Sequence, residues 1–341
     1  MKILVTGANG FLGKAVVWKL LEHGERDIRC LVRPGRDVSR LREMAKAYPD
    51  GVVDILWGDV MSREQATRAV ENVGAVYHLA AGIRGSAAVL VQNSVVGSRN
   101  LLEGLVGNGG ARVCLVSSIA VYGTVGLPAG SVVDEASPLE RDPAQRDLYS
   151  FAKIRQEKLF WEYREKHRFP LVVVRPGVIY GAGGAGIPAR VGIQFPGLFV
   201  HMGCGNTLPL TYVENCADAV VLLGGEKGVD GEAYNVIDDD LPTSREFFGG
   251  YRKQVEALRY VAFPYAVTMA LSKLIETYHK KSRGQLPDIL TPYKSEFMWK
   301  GMRYGNTKLK SAGWKQTVST IEAMARYYAY WRKQGPGDKN G

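Results

Sequence analysis

The 341-residue chain is poor in the residues that would build several kinds of protein. Its four cysteines, Cys30, Cys114, Cys204 and Cys216, stand far apart without a Cys-x-x-Cys pair. That spacing excludes a disulfide framework and a zinc ribbon, and it fits a reducing compartment, so a cytoplasmic location is expected. Histidine is also scarce, at five residues, and no carboxylate–histidine cluster suggests a metal. No stretch nears the ~20 consecutive apolar residues of a membrane span. The N-terminus runs Ile3-Leu4-Val5 and then breaks into Thr6-Gly7, unlike a secretory signal. Charge of one sign is lacking over most of the length. Residues 1–250 carry 27 Lys/Arg against 28 Asp/Glu, whereas 251–341 carry 17 against 6, a net of +11. That excess is interleaved with Trp, Tyr and Leu and forms neither a compact basic block nor a helix-turn-helix pattern, so no nucleic-acid partner is expected. What the chain has in plenty is glycine, 40 residues, which points to loops needing close backbone approach. A content of 46% hydrophobic and 23% charged residues excludes disorder as the main state.

Along residues 1–180, short β-branched runs alternate with stretches of helical apolar spacing. The runs Lys2–Thr6, Ile28–Val32, Val53–Trp57, Ala75–Leu79, Arg112–Ser117 and Leu171–Arg175 read as strands, several apolar on consecutive positions as in strands covered on both faces. Gly13–His23, Ser62–Glu71 and Ser94–Val106 read as helices. This alternation specifies an α/β fold with a doubly wound parallel (Rossmann) sheet. Residues 1–181 form the dinucleotide-binding domain, its sheet completed by part of 211–240. Past Gly181 the rhythm fails: a Gly/Pro-punctuated stretch precedes a helix near Glu214–Leu223, a strand near Ala233–Ile237 and a mostly helical substrate lobe spanning 182–334. The tail 335–341 is expected to be frayed.

The first strand runs into Thr6-Gly7-Ala8-Asn9-Gly10-Phe11-Leu12-Gly13 and then a helix. Glycine serves the tight turn, the approach of a pyrophosphate to bare backbone and close helix–strand packing, and the helix N-terminus offers free N–H groups to phosphate. The binding segment is therefore Gly7, Asn9, Gly10, Phe11, Leu12 and Gly13. About twenty residues on, the second strand ends in Arg33, with Arg36 nearby. A guanidinium suits a 2′-phosphate where an acidic residue would suit a free 2′-hydroxyl, so NADP(H) is preferred, with NAD(H) as the alternative. Asp59 and Val60, ending the third strand, are placed for the adenine, although a strand-ending aspartate also serves as a turn residue.

The sequence Tyr149-Ser150-Phe151-Ala152-Lys153 puts a phenol and an ammonium four residues apart on one helix face. An ammonium beside a phenol stabilises the phenolate and lowers a pKa that is otherwise near 10. Upstream, the fifth strand ends in Ser117-Ser118. Ligands bind at strand carboxyl ends in this architecture, so Ser118 can reach a substrate oxygen.

With these motifs in order, the chain resembles the extended short-chain dehydrogenase/reductase family, which includes NAD(P)-dependent epimerases and dehydratases and 3β-hydroxysteroid dehydrogenase-like enzymes. The likeness covers roughly residues 1–240. It rests on Thr6–Gly13, Gly58-Asp59-Val60, Tyr77–Ala81, Ser117–Gly123, Tyr149–Lys153, Arg175–Gly181, Tyr212–Ala219 and Tyr234-Asn235-Val236. The resemblance implies a catalytic set of Ser118, Tyr149 and Lys153. Tyr149 would transfer the proton, Lys153 would bind the nicotinamide ribose and tune Tyr149, and Ser118 would orient the reacting oxygen. Leu79, Ala80, Ala81, Pro176 and Val178 would line the cofactor, and a homodimer is implied.

Departures from the nucleotide-sugar members narrow the branch. Val178 stands where they carry Asn, and Leu208 where they carry a phosphate-binding Arg. Losing a guanidinium opposite a diphosphate removes about 1.5–3 kcal/mol, unless Arg190 supplies the charge. Ser118, Val178 and Arg190 are the expected substrate contacts. Ile187, Val191, Ile193, Phe195, Leu198, Phe199 and Met202 suggest an apolar pocket wall, or equally the lobe's own core. The reading is a dehydrogenase or ketoreductase of a fairly apolar secondary alcohol or ketone. A nucleotide-sugar epimerase with retained cofactor is the alternative, and a catalytically silent dinucleotide sensor a third, disfavoured by the intact Tyr149/Lys153 pair. Arg259–Arg283, apolar from Val261 to Leu274 and basic at its end, reads as a core helix capped or kinked at Pro264, with weak contact to a membrane surface as the alternative. His78 reads as a structural residue beside the cofactor, His201 and His279 as isolated, and Cys30 and Cys114 as buried strand residues.

Overall fold

The computed structural model describes residues 1–82, 85–281 and 290–334. The expected tail 335–341 and the basic end Ser282-Arg283 lie outside the described residues. Seven strands, β1 (Ile3–Thr6), β2 (Asp27–Val32), β3 (Val52–Trp57), β4 (Ala75–His78), β5 (Arg112–Val116), β6 (Leu171–Pro176) and β7 (Ala233–Val236), form one sheet in the order β7-β6-β5-β4-β1-β2-β3. Every neighbouring pair is parallel. The central strands β1, β4 and β6 are buried at every residue, which is why they read as unbroken apolar runs, while β3 at the edge is only half covered. The order reverses between β1 and β4, so the carboxyl ends of those two strands open the crevice in which this architecture binds ligands.

The helices α1 (Phe11–Glu22), α2 (Ser39–Ala47), α3 (Arg63–Ala69), α4 (Ala87–Val91), α5 (Gly97–Gly107), α6 (Leu148–His167) and α7 (Val213–Gly225) provide the crossovers and flanking layers. The helix expected over Ser94–Val106 is longer and irregular. A π-helical stretch, Gln92–Val96, joins α4 to α5 and turns Ser94 inward, where its hydroxyl accepts from the Gly82 N–H at 2.9 Å. Such an insertion re-aims side chains and often lies at functional sites.

The lobe departs from expectation in two ways. The Gly/Pro-rich stretch folds into an antiparallel hairpin, Gly192–Phe195 with Leu198–Met202, to which Tyr260–Phe263 adds a parallel strand. The side chains singled out there are divided: Val191, Phe199 and Met202 are core residues, while Phe195 and Leu198 are exposed. The apolar pocket wall therefore gives way to lobe core and surface for these five. Secondly, the stretch expected as a core helix, α9 (Tyr265–Lys281) following α8 (Ser244–Gln254), buries only Thr268 and Ser272. The remaining helices are α10 (Pro292–Trp299), α11 (Thr307–Ser311) and α12 (Thr320–Gln334). One hydrophobic cluster runs from Val5 and Val16 of the sheet and α1 through Tyr180 and Val213 to Phe247, Tyr327 and Trp331, so lobe and sheet share a continuous core.

Candidate active site

Gly7 takes φ +71°, a left-handed conformation that only glycine holds without strain, and this turns the chain from β1 toward α1. A β-carbon at Gly7 would lie 3.0 Å from the Ala80 nitrogen and one at Gly13 would collide with the Gly7 carbonyl, so three backbones meet here with no room between them. Gly10 is the N-cap of α1 and supplies no side chain to its N–H groups, nor is there an acidic residue in the first turn. Bare donors at the positive end of a twelve-residue helix are what a pyrophosphate needs. The residues present therefore fit a dinucleotide. Asn9 donates to the Asp37 carbonyl at 2.6 Å and ties the turn to the loop after β2. Leu12 is buried, and Phe11 lies against the backbone of Gly181 and Gly184, joining the turn to the lobe entrance.

Around the turn, Arg33 and Arg36 are exposed just beyond β2. Asp59 is half-buried, and one carboxylate oxygen accepts from the Met61 N–H at 3.0 Å, the turn role weighed from sequence. Val60 packs against the backbone of Gly97. Leu79, Ala80 and Ala81 are half-buried at the end of β4, beside Gly7. Pro176 ends β6, and Val178 sits next to it, its N–H donating to the Pro209 carbonyl at 2.7 Å.

The chemistry lies one strand further on. Ser118 leaves β5 extended, and its hydroxyl accepts from the Ala120 N–H at 3.1 Å, opening a 3₁₀ turn. α6 starts at Asp147, whose carboxylate caps the Ser150 N–H at 3.0 Å, so Tyr149 and Lys153 occupy the first two turns. The Ser118 side chain is close enough to the Tyr149 phenol to influence its ionisation. Burial raises the Tyr149 pKa above its ordinary value, and the Ser118 contact opposes that rise. Lys153, 3% exposed, donates to the Val116 carbonyl at 2.8 Å and to the Gln156 amide oxygen at 2.6 Å; desolvation brings its pKa down to about 7, against the pull of Glu157. Desolvation is the largest influence on both groups and favours their neutral forms.

Two buried networks hold this pair, and sequence reasoning found neither. In the first, Gln156 donates to the Ser98 hydroxyl at 2.9 Å and the Ala80 carbonyl at 3.2 Å, which fixes its amide oxygen toward Lys153. Ser98 contacts His78 at 2.8 Å, and His78 contacts Thr6 at 2.8 Å. A hydrogen-bonded chain thus links the lysine to the end of β1. Burial lowers the His78 pKa to about 3, so the ring is neutral, as its structural reading requires. In the second, Glu157 accepts from Arg175 at 2.5 Å, Ser117 at 2.5 Å and Trp161 at 3.3 Å, while Arg175 also donates to the Tyr122 hydroxyl at 2.9 Å. Arg146, with Glu140 at 2.9 Å and the Tyr122 and Ala120 carbonyls at 3.0 Å, pins the Ser118–Gly123 segment to α6. His78 and Arg175 stand out in the sequence as polar residues ending apolar strands, whereas Gln156 and Glu157 lie in a polar stretch of α6, and sequence alone pairs none of them.

In the lobe, Arg190 lies over the rings of Phe297 (5.0 Å) and Tyr304 (5.7 Å), and it lines a small cavity with Leu208, Asn206, Lys300 and Met302. Lys300 is paired with Glu296 at 2.6 Å. His201 is not isolated: its ring contacts Ser244 at 3.0 Å and Cys204 at 3.5 Å. Cys30 and Cys114 are buried and free.

A doubly wound sheet with a bare helix N-terminus at its switch point and a Ser–Tyr–Lys set on the next strand and helix defines a nucleotide-dependent oxidoreductase. Comparison with known proteins agrees. Residues 3–236 match the NAD dependent epimerase/dehydratase family, and the chain belongs to that family. It is an NAD(P)-dependent enzyme of the extended short-chain dehydrogenase/reductase type. It is 28% identical to cinnamoyl-CoA reductase 1 of Petunia hybrida, over 52% of this chain and 54% of that one, so it spans about half the length of that relative. It is 24% identical to 3beta-hydroxysteroid-dehydrogenase/decarboxylase isoform 1 of Arabidopsis thaliana over 95% of this chain and 78% of the other. Among solved structures, the Thermus thermophilus UDP-glucose 4-epimerase complex with NAD superposes with a TM-score of 0.70 at 19% identity, covering 97% of this chain and 99% of that one. The likeness to solved structures at this identity concerns the fold. Among the described residues no helix is long and apolar enough to cross a membrane.

Proposed function

We propose that the protein is an NADP(H)-preferring reductase that interconverts a ketone and a secondary alcohol on a fairly apolar substrate. The observation that carries this reading is the convergence of Ser118, at the carboxyl end of β5, on Tyr149 and the buried Lys153 in the first two turns of α6. The cofactor supplies the hydride. Ser118 holds the substrate oxygen, and Tyr149, kept neutral by burial, gives that oxygen its proton as negative charge develops there. Lys153, aimed by Gln156 and the Val116 carbonyl, binds the nicotinamide ribose and steadies the phenolate left behind. Glycine-turn residues Gly7 to Gly13 hold the pyrophosphate, Arg33 meets the 2′-phosphate, and Asp59, Val60, Leu79, Ala80, Ala81, Pro176 and Val178 line the rest of the dinucleotide.

Leu208 and the occupied state of both nearby cations favour an uncharged substrate. Arg190 is stacked on two rings and Lys300 is paired, so neither is presented bare to a diphosphate. Arg190 and Val178 then act as walls. The epimerase reading shares the same catalytic set and differs in one measurable respect, recycling of bound cofactor without net consumption. A cytoplasmic homodimer completes the reading. The test is a screen of apolar ketones and nucleotide sugars with external NADPH. Stoichiometric consumption with a ketone supports it; turnover of a nucleotide sugar without consumption replaces it with epimerisation.

A further inference from the structure

The lobe carries an apolar surface that the proposed reaction does not use. The register of its three-stranded sheet puts Ile193, Phe195, Leu198, Val200, Val261 and Phe263 on one face. One end of that face is covered, where Val200 and Met202 pack with Trp299, Phe263 and Tyr265. The other end is bare: Phe195 is 48% exposed and Val261 39%. The strand Tyr260–Phe263 leads through Pro264 into α9, and there the usual order of a surface helix is inverted. The buried residues are Thr268 and Ser272, whereas Val267, Leu274 and Tyr278, with Ala270, form an outward stripe at the 3.6-residue period. Leu274 is 66% exposed. Exposed Lys273 and Lys280, the latter paired with Glu276 at 3.4 Å, flank the stripe and exposed Lys281 ends it, and they belong to the quarter of the chain that holds 17 basic residues against 6 acidic.

Exposed apolar side chains gathered on two successive elements mark an interaction site. The combination of an outward apolar stripe with a cationic border matches the boundary between lipid headgroups and acyl chains at an anionic bilayer. We infer that α9 and the hairpin tip at Phe195–Leu198 dock the protein on the surface of a membrane containing anionic lipid, without crossing it. The docking is reversible. The apolar stripe enters the acyl boundary while the lysines stay among the headgroups, and the catalytic cleft remains built from β1, β4, β5 and α6. The inference does not rest on the proposed reaction.

The test is co-sedimentation of the full chain with vesicles of phosphatidylcholine alone and of phosphatidylcholine mixed with phosphatidylglycerol, in low and high salt. Binding should appear on the mixed vesicles and weaken as salt rises. Leu274→Glu should reduce it at least tenfold, Lys280→Glu with Lys281→Glu should reduce it on anionic vesicles alone, and Leu198→Glu should weaken it independently. NADPH binding and melting temperature of each variant, unchanged because the positions are on the surface, show that the fold persists. Absence of partitioning, or partitioning that Leu274→Glu leaves intact, overturns the proposal. So does a Leu274→Glu variant that converts a dimer to a monomer in light scattering, since the face would then be covered by a second copy.

Discussion

The buried pair of Arg175 on β6 and Glu157 on α6 makes a sharp stability prediction. Its side chains are 5% and 3% exposed, and the glutamate also accepts from Ser117 and Trp161. Glu157→Ala leaves the Arg175 guanidinium without its counter-charge in a dry setting, which costs about 3–5 kcal/mol. The 341 residues correspond to an unfolding entropy of roughly 0.7 kcal/mol/K at the usual ~2.1 cal/mol/K per residue. A loss of ~4 kcal/mol therefore lowers the melting temperature by roughly 6 °C. Removing both charges should be milder than removing one. Glu157→Leu with Arg175→Met fills similar volume with apolar groups, and the Tyr122 hydroxyl still donates to Asn235 at 2.7 Å. The double variant should regain at least half of the loss seen in Glu157→Leu. Calorimetry on the parent, Glu157→Leu, Arg175→Met and the double variant closes the cycle, with Glu157→Ala measured beside them. A Glu157→Ala variant within ~1 kcal/mol of the parent, or a double variant less stable than Glu157→Leu alone, would refute the argument that the pair is dry and mutually dependent.

Three further outcomes follow from the same geometry. Gln156→Leu removes an acceptor from Lys153, whose pKa of about 7 should fall further; the pH midpoint of NADPH affinity, read by fluorescence, should move down, and an unmoved midpoint contradicts the positioning role. Asp238 is buried with its pKa raised to about 7 from 3.8, so between those values the folded state binds more protons than the unfolded one and this residue's contribution to stability declines as pH rises. Asp238→Asn should remove that decline from melting curves taken at pH 4 and pH 7; identical pH slopes in the two proteins contradict it. Arg33→Asp should weaken NADPH by about 10- to 100-fold, the equivalent of one charge-assisted contact, and leave NADH nearly untouched; equal effects on both nucleotides remove the preference.

The parallel sheet was legible because strands buried on both faces leave a local record, consecutive β-branched residues, and because Gly7 to Gly13 answer to one turn geometry. The hairpin Gly192–Met202 was not, since its strands are short, one exposes Phe195 and the other Leu198, and the second also pairs with residues far along the chain at Tyr260–Phe263. Reading α9 as a core helix failed because period and hydropathy locate an apolar stripe without saying which way it faces. The trio proposed to be catalytic, Ser118, Tyr149 and Lys153, was legible as a motif, but its electrostatics were not. Desolvation of Tyr149 and Lys153, and the amide of Gln156 between Lys153 and Ser98, arise only when β5, α5 and α6 pack together.

The central claim is that Tyr149 completes a hydride transfer on carbon. Incubating the protein with NADPH deuterated at the transferable C4 position and a ketone identified by the screen should place deuterium on the carbinol carbon of the product. With Tyr149→Phe the labelled product should form at least ~10²-fold more slowly while NADPH affinity is nearly kept. Product that carries no deuterium, or label transferred at an undiminished rate by the phenylalanine variant, would contradict the account.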